Sequence, residues 1–215
     1  MNFETSKNLG GVGAILMFVG IFPYISVYGI TELFGAIIVL IAMKGVADYY
    51  REAGIFNNAL YAIISGIVGA VAFVGIMFVA LVDFFTELGI SLGVGTVSDW
   101  TTQISAIDWQ NSDVSTIWKF IGFIFLDIVV IFVFILITAI LLRKSLGLLS
   151  TNSGISLFST TGTVLLIGAA LTIVFGFGLI IVWISTLLLA AAFFQLRPTP
   201  TKPPTPPSNT YSNQA

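Results

Sequence analysis

The chain contains 215 residues, of which 57% are hydrophobic and only 8% are charged, and its formal net charge is −2. This composition excludes a soluble domain, which carries roughly 25% charged residues, and it also excludes intrinsic disorder and a nucleic-acid-binding protein with a broad basic face. The chain has no Cys and no His, which excludes disulfides, Cys/His zinc sites, and hydrolases that use a His base or a Cys nucleophile.

The apolar tracts predict an all-α polytopic transmembrane bundle. The tract 9–43 is too long for one crossing at about 20 residues per span, and Pro23 and Gly29 favour a turn near its middle. The uncharged tract 155–196 must also fold back, with a turn at residues 176–178. Two helical hairpins therefore flank two longer spans. The six predicted spans of the transmembrane domain 1–197 are residues 10–26, 30–46, 59–82, 120–142, 158–175 and 178–196.

Two polar segments lie outside the predicted spans. In the outer segment 83–119, apolar residues recur at helical spacing, and this predicts an amphipathic helix at about 97–109 that lies on the membrane surface. A lid over a cavity is the alternative. The Pro-rich residues 198–215 offer almost nothing apolar to bury, and we predict a disordered cytoplasmic tail.

The positions of the basic residues predict the orientation. If six spans alternate, seven of the eight basic residues fall on one side, whereas segment 83–119 on the other side carries five acidic residues and one basic residue. Basic loops stay in the cytoplasm, so both termini are expected there. Four spans plus one re-entrant hairpin would produce the same charge distribution, and this alternative stays open.

Several motifs resemble one family. Residues 42–66 read AMKGVADYYREAGIFNNALYAIISG, residues 141–172 contain LLRKSLGLLSTNSG and GTVLLIGAALT, and residues 191–198 read AAFFQLRP. They resemble an archaeal integral-membrane family of unknown function, number 996 in the domain-of-unknown-function series. The resemblance covers everything except the tail and the outer segment. It implies an archaeal multi-pass membrane protein without an assigned activity.

Asp127 is the most unusual residue of the predicted spans. It is the eighth residue of span 120–142, about 10 Å below the outer boundary. A carboxylate at that depth costs at least ~2.5 kcal/mol and often marks an ion or substrate path. The alternative is a protonated or hydrogen-bonded Asp that joins its helix to a hydroxyl group on another span. The candidate hydroxyl partners are Ser65, Thr161, Thr163, Thr172 and Ser185.

Glu32 is the second candidate for an intramembrane polar site. It lies near the outer end of the second predicted span, and a boundary residue that reaches water is the favoured interpretation. If the second and fourth spans are neighbours, Glu32 and Asp127 lie at similar depth. Two close carboxylates repel, so one of them would keep its proton at neutral pH.

Two further patterns concern packing. Ala62, Gly66, Gly69 and Ala70 form a candidate helix-packing face, because small residues let helices approach closely in lipid. Packing within the bundle is favoured over dimerisation. Lys44, Asp48, Arg51 and Glu52 have helical spacing, which predicts that the second helix continues into the cytoplasm. A docking patch for a partner or for anionic headgroups is the alternative.

These observations favour a non-catalytic integral membrane protein with a structural or accessory role in the cell membrane. The alternative is a small ion- or proton-coupled transporter or channel that uses Asp127. An enzyme is not expected, because the chain lacks a Ser–His pair, a second deep Asp and a phosphate-binding GxxxxGK[ST] loop. No cofactor, metal or nucleic acid is expected. The expected partners are the lipid bilayer and either a membrane protein or a second copy of the chain.

Overall fold

The computed structural model describes residues 2–20, 30–90, 101–103, 105, 114–173 and 176–198. Within these residues the secondary structure consists of helices, without strands. The long helices are α1 (Phe3–Gly20), α2 (Ile30–Tyr50), α3 (Ala53–Glu87), α4 (Val114–Ser153), α5 (Ser156–Leu171) and α6 (Phe177–Gln195).

The all-helical prediction is confirmed, and four of these helices are long and apolar enough to cross a membrane: α2, α3, α4 and α6. The helix α5 is also apolar but has only 16 residues, and α1 has 18 residues that include Glu4 and Lys7. Crossing by all six helices therefore remains a proposal. Three predicted features lie outside the described residues: the turn near 23–29, most of the amphipathic helix 97–109, and the tail beyond Pro198.

The residues between the predicted spans 120–142 and 158–175 are mostly helical, because α4 continues through Ser153. Charged residues at the end of an apolar tract do not oppose helix formation, so charge marks where a helix leaves the apolar layer and not where it ends. The predicted continuation of α2 is confirmed only as far as Tyr50, where Lys44 Nζ lies 2.7 Å from Asp48 Oδ1. Arg51 and Glu52, which were expected on the same helix, lie beyond its end. Only residues 51 and 52 separate α2 from α3.

The helices form a closed ring. Each helix packs against the next helix in the chain, and α6 packs against α1. The indole N–H of Trp183 in α6 donates to the Phe18 carbonyl oxygen of α1 at 2.8 Å, and the two rings stack 4.6 Å apart. The most extensive contacts lie within the pairs α3–α4, α1–α2 and α5–α6. The ring therefore consists of three helical hairpins.

The hairpins converge at one end of the molecule. Lys7 and Arg197 line one pocket there, and Arg143 and Lys144 line another, so we call it the basic end. The opposite end carries Asp83 and Glu87, and we call it the acidic end. The main apolar core lies at the basic end, where side chains from α2 to α6 meet. Its most buried large side chains are Met43, Val46, Ile55, Leu149, Phe158, Phe193 and Leu196.

Glycines allow close helix contacts inside two of the hairpins. A Cβ on Gly13 of α1 would lie 2.9 Å from the Gly35 carbonyl oxygen of α2, and a Cβ on Gly35 would lie 2.7 Å from the Gly13 carbonyl oxygen. Gly168 of α5 and Gly178 of α6 face each other in the same reciprocal way. Side chains at these positions would push the paired helices apart.

Candidate functional site in the seam between α3 and α4

The contact surface between α3 and α4, which we call the seam, holds the deepest candidate residue. Towards the basic end the seam is polar. The Ser145 hydroxyl donates to the Ile55 carbonyl oxygen, and the Thr138 hydroxyl donates to the Ala62 carbonyl oxygen at 3.4 Å. Both are hydrogen bonds from an α4 side chain to the α3 backbone, so they set the register of the two helices.

Towards the acidic end the seam becomes apolar and then ionic. The Phe134 side chain packs directly on Gly69, and the rings of Phe84 and Phe120 lie 4.6 Å apart. Beyond them, Lys119 of α4 lies 2.7 Å from carboxylate oxygens of Asp83 and of Glu87 on α3. The two helices are thus antiparallel and in contact along most of their length.

Asp127 lies in the apolar part of the seam. Its residue is 1% exposed, and neither carboxyl oxygen has a hydrogen-bond partner among the described residues. The antiparallel register places it level with about Ile76 of α3, in a stretch (74–77) without a polar side chain. Burial of an ionised carboxyl group without a partner costs several kcal/mol. Even when protonated, a buried carboxyl group without a hydrogen-bond partner costs about 1–3 kcal/mol, so Asp127 lowers the stability of the seam.

The hydroxyl groups proposed as partners of Asp127 do not bind it. Ser65 lies on α3 about eleven residues from Ile76, the level of Asp127, and this is about 16 Å of helix rise. The other four hydroxyl groups donate to carbonyl oxygens of their own helices. These are the hydroxyls of Thr161, Thr163, Thr172 and Ser185. The structure therefore does not show a hydroxyl group that joins Asp127 to another span.

Glu32 belongs to a different hairpin from Asp127. It is half-buried at the start of α2 and packs against Gly20 of α1. Contact between α2 and α4 is the smallest among the packed helix pairs. A site shared by Glu32 and Asp127 would require α2 and α4 to be close neighbours. The structure therefore does not support such a site.

The small residues of α3 divide between two environments. Ala62 and Gly69 are buried in the seam. Gly66 lines an apolar crevice of about 230 Å³ between the α3–α4 and α5–α6 hairpins, whereas Ala70 is exposed. The crevice begins at Ile131, one helical turn from Asp127, but Asp127 is not among its lining residues. Two of the four residues of the predicted packing face, Ala62 and Gly69, thus lie between α3 and α4.

A pocket at the basic end was not predicted from the sequence. Arg143, Gly147 and Thr151 of α4 line it together with Asn58 of α3. In the sequence, Arg143 and Lys144 served only to assign the orientation. Arg143, Gly147 and Thr151 are four residues apart, so a cation, a glycine and a hydroxyl group lie on one helix face. This spacing is visible in the sequence and could have predicted the pocket.

Comparison with known proteins finds one family and one similar curated relative. The family described as protein of unknown function (DUF996) matches residues 31–187. An uncharacterised protein of the archaeon Methanocaldococcus jannaschii is 23% identical over 199 residues, which cover 91% of this chain and 94% of that protein. No solved structure matches the chain. Because the family match covers more than half of the chain, the chain belongs to the DUF996 family, whose function is unknown.

Proposed function

We propose that the chain is a multi-pass membrane protein that acts as a non-catalytic accessory subunit, and that the α3–α4 hairpin binds another membrane protein. The exposed apolar surface of this hairpin carries the proposal. The helices α3 and α4 are the two longest and most apolar of the candidate spans, and they are also the least buried inside the fold. Lipid or a partner must therefore cover them.

The half of this hairpin nearer the acidic end, which we call the arm, extends beyond its neighbours. Arg143 of α4 packs on Gly162 of α5, and this antiparallel register carries α5 only to about the level of Phe134. Before Ile131, where the crevice with the α5–α6 hairpin begins, the described contacts of α4 are with α3, as at Lys119 and Phe120. Within the described part of the chain, the arm is therefore a two-helix projection of the bundle.

The surface of the arm has features suited to a helix from another protein. Phe78 of α3 is 66% exposed and Phe125 of α4 is 69% exposed, and the register places them at the same level. A Cβ on Gly75 or on Gly122 would meet nothing within 4 Å. Exposed glycines let a neighbouring backbone approach closely, which favours association between helices in lipid.

The charge distribution supports an orientation with the basic end in the cytoplasm. Among the described residues, every Lys and Arg except Lys119 lies at the basic end, beside residues of the apolar core or of the two pockets there. The positive-inside rule then places both termini in the cytoplasm and the arm in the outer part of the bilayer.

Site-specific photocrosslinking in native membranes tests the accessory role. A photoreactive phenylalanine analogue replaces Phe78 or Phe125 in the full chain. We expect each position to form one adduct of discrete mass with a second membrane protein, because the proposed partner covers both rings.

The matched control places the same analogue at Phe34 of α2, which is 58% exposed on a different hairpin. We expect only lipid adducts there. Lipid adducts alone at all three positions, or adducts only with further copies of this chain, would overturn the accessory proposal.

A further inference from the structure

The pocket at the basic end has the shape of a small-molecule site. It is about 460 Å³ in volume, within the range of ligand pockets, and lies between α3, α4 and α5. Ile140, Leu148 and Leu166 form its apolar walls. A Cβ on Gly147 would meet nothing within 4 Å, so this glycine leaves the pocket open along α4.

Two cations dominate the chemistry of the pocket. Arg143 and Lys144 both line it and are both exposed. In the part of the chain that the structure describes, no carboxylate lies within ion-pair distance of either cation. The neutral polar groups are already engaged, because the Asn58 amide and the Thr151 hydroxyl donate to carbonyl oxygens of their own helices. The two cations therefore remain for an anion.

An apolar track leads out of the pocket along α4. Val133, Ile137, Ile140 and Lys144 follow i, i+4, i+7, i+11 spacing, which places them on one helix face. The three apolar side chains are exposed. A ligand held at Lys144 would thus meet water at its polar group and a continuous apolar surface towards the middle of the proposed bilayer.

We propose that this pocket binds one anionic phospholipid from the cytoplasmic leaflet. The phosphate binds Arg143 and Lys144, and one acyl chain follows Ile140, Ile137 and Val133. Basic pockets between helices at the cytoplasmic boundary are typical of such headgroup sites. The apolar track favours a lipid over a soluble phosphate. This inference rests on the proposed membrane embedding, but not on the accessory role of the arm.

Native mass spectrometry of the delipidated full chain in detergent tests the site. The probes are phosphatidylglycerol and phosphatidylcholine with identical acyl chains. We expect one tightly bound phosphatidylglycerol and a clear preference over phosphatidylcholine. Each of Arg143→Gln and Lys144→Gln should weaken phosphatidylglycerol binding about fivefold, since one basic residue near an anionic headgroup contributes about 1 kcal/mol.

Two further variants separate the pocket from general surface charge. Gly147→Leu fills the pocket without removing a charge, and it should also reduce phosphatidylglycerol binding. It is expected to fold, because the position is an open helical site where glycine is unfavourable. Lys44→Gln removes a cation at the same end that is already paired with Asp48, and it should bind like the unmodified chain.

Three outcomes would overturn the proposal. They are equal binding of the two lipids, loss of binding in Lys44→Gln equal to that in Arg143→Gln, and displacement of phosphatidylglycerol by equimolar inorganic phosphate. Crosslinking at Phe78 is independent of this pocket. A failed lipid experiment together with a positive crosslink would therefore remove the lipid site and leave the accessory role intact.

Discussion

At the scale of single residues, Arg51 is the clearest case of a side chain that conflicts with local backbone geometry. Its φ is 55°, and it is the only non-glycine residue with positive φ among the described residues. The Arg51 N–H donates to the Asp48 carbonyl oxygen and the Glu52 N–H donates to the Ala47 carbonyl oxygen, which together form a Schellman motif. Glycine normally occupies the left-handed position of this motif.

We expect Arg51→Gly to raise the free energy of unfolding by roughly 0.5–1 kcal/mol, because a side chain is strained in the left-handed region. Arg51→Val should lower it, since a β-branched residue fits that region worst. Gly154 lies at the corresponding position after α4, with a φ of 74°. Gly154→Ala places a side chain in the left-handed region and should therefore lower the free energy of unfolding. Denaturant unfolding in detergent measures all three. A destabilised Arg51→Gly would contradict the strain argument.

Asp127 shows the limit of residue-level prediction. The sequence predicts a carboxyl group inside an apolar span, and the structure places it inside the seam. Its surroundings depend on α3, because the register of Phe120 on Phe84 decides which residues of α3 face it. No local pattern around Asp127 specifies that register.

At the scale of elements, the two longest helices are joined at their far ends by one cation. Lys119 of α4 binds Asp83 and Glu87 of α3. The hydrogen bond with Asp83, followed by that with Glu87, raises the pKa of Lys119 above its ordinary value of 10.5. The group is exposed, so its contribution to stability is small and sensitive to salt.

The sign of this shift predicts an alkaline effect. Because the folded-state pKa is the higher one, the contribution of Lys119 is fully present below pH 10.5 and is lost as the pH rises through the folded-state value. We expect Lys119→Met to melt below the unmodified chain at neutral pH, with a difference that narrows above pH 10.5. Melting temperatures across this pH range in low salt check it. A difference that widens with pH would contradict it.

Helix positions were largely predictable, but helix ends were not. Apolar tracts locate the helices because a membrane span needs about 20 apolar residues. The ends of α3 and α4 extend beyond the predicted spans 59–82 and 120–142. Hydrogen bonding along the backbone continues past the apolar tract, and the helix stops only where a capping geometry such as that of Gly154 ends it.

At the scale of the whole molecule, the described structure separates charge between its two ends. The chain has no Cys, so an introduced Cys is the only thiol for labelling. Thr86 is exposed near the acidic end, and Ser156 is exposed at the start of α5 near the basic end.

We expect a membrane-impermeant maleimide to label Thr86→Cys in intact cells. Ser156→Cys should react only after permeabilisation, because the positive-inside rule keeps the basic end in the cytoplasm. Labelling of both in denatured protein is the control. The reverse pattern would overturn the proposed orientation, and labelling of neither position in intact cells would contradict an arm that reaches the outer surface.

The sequence by itself determined the helical class, the family and the separation of charge, because each depends only on residue type and spacing along the chain. The tertiary structure decided which helices are neighbours, through contacts between residues far apart in sequence. Trp183 on Phe18 closes the ring, the register of α3 on α4 isolates Asp127 from Glu32, and Arg143 and Lys144 meet Asn58 in one pocket. Apolar periodicity specifies that a helix is buried in lipid or protein, but close packing of particular side chains specifies its neighbour.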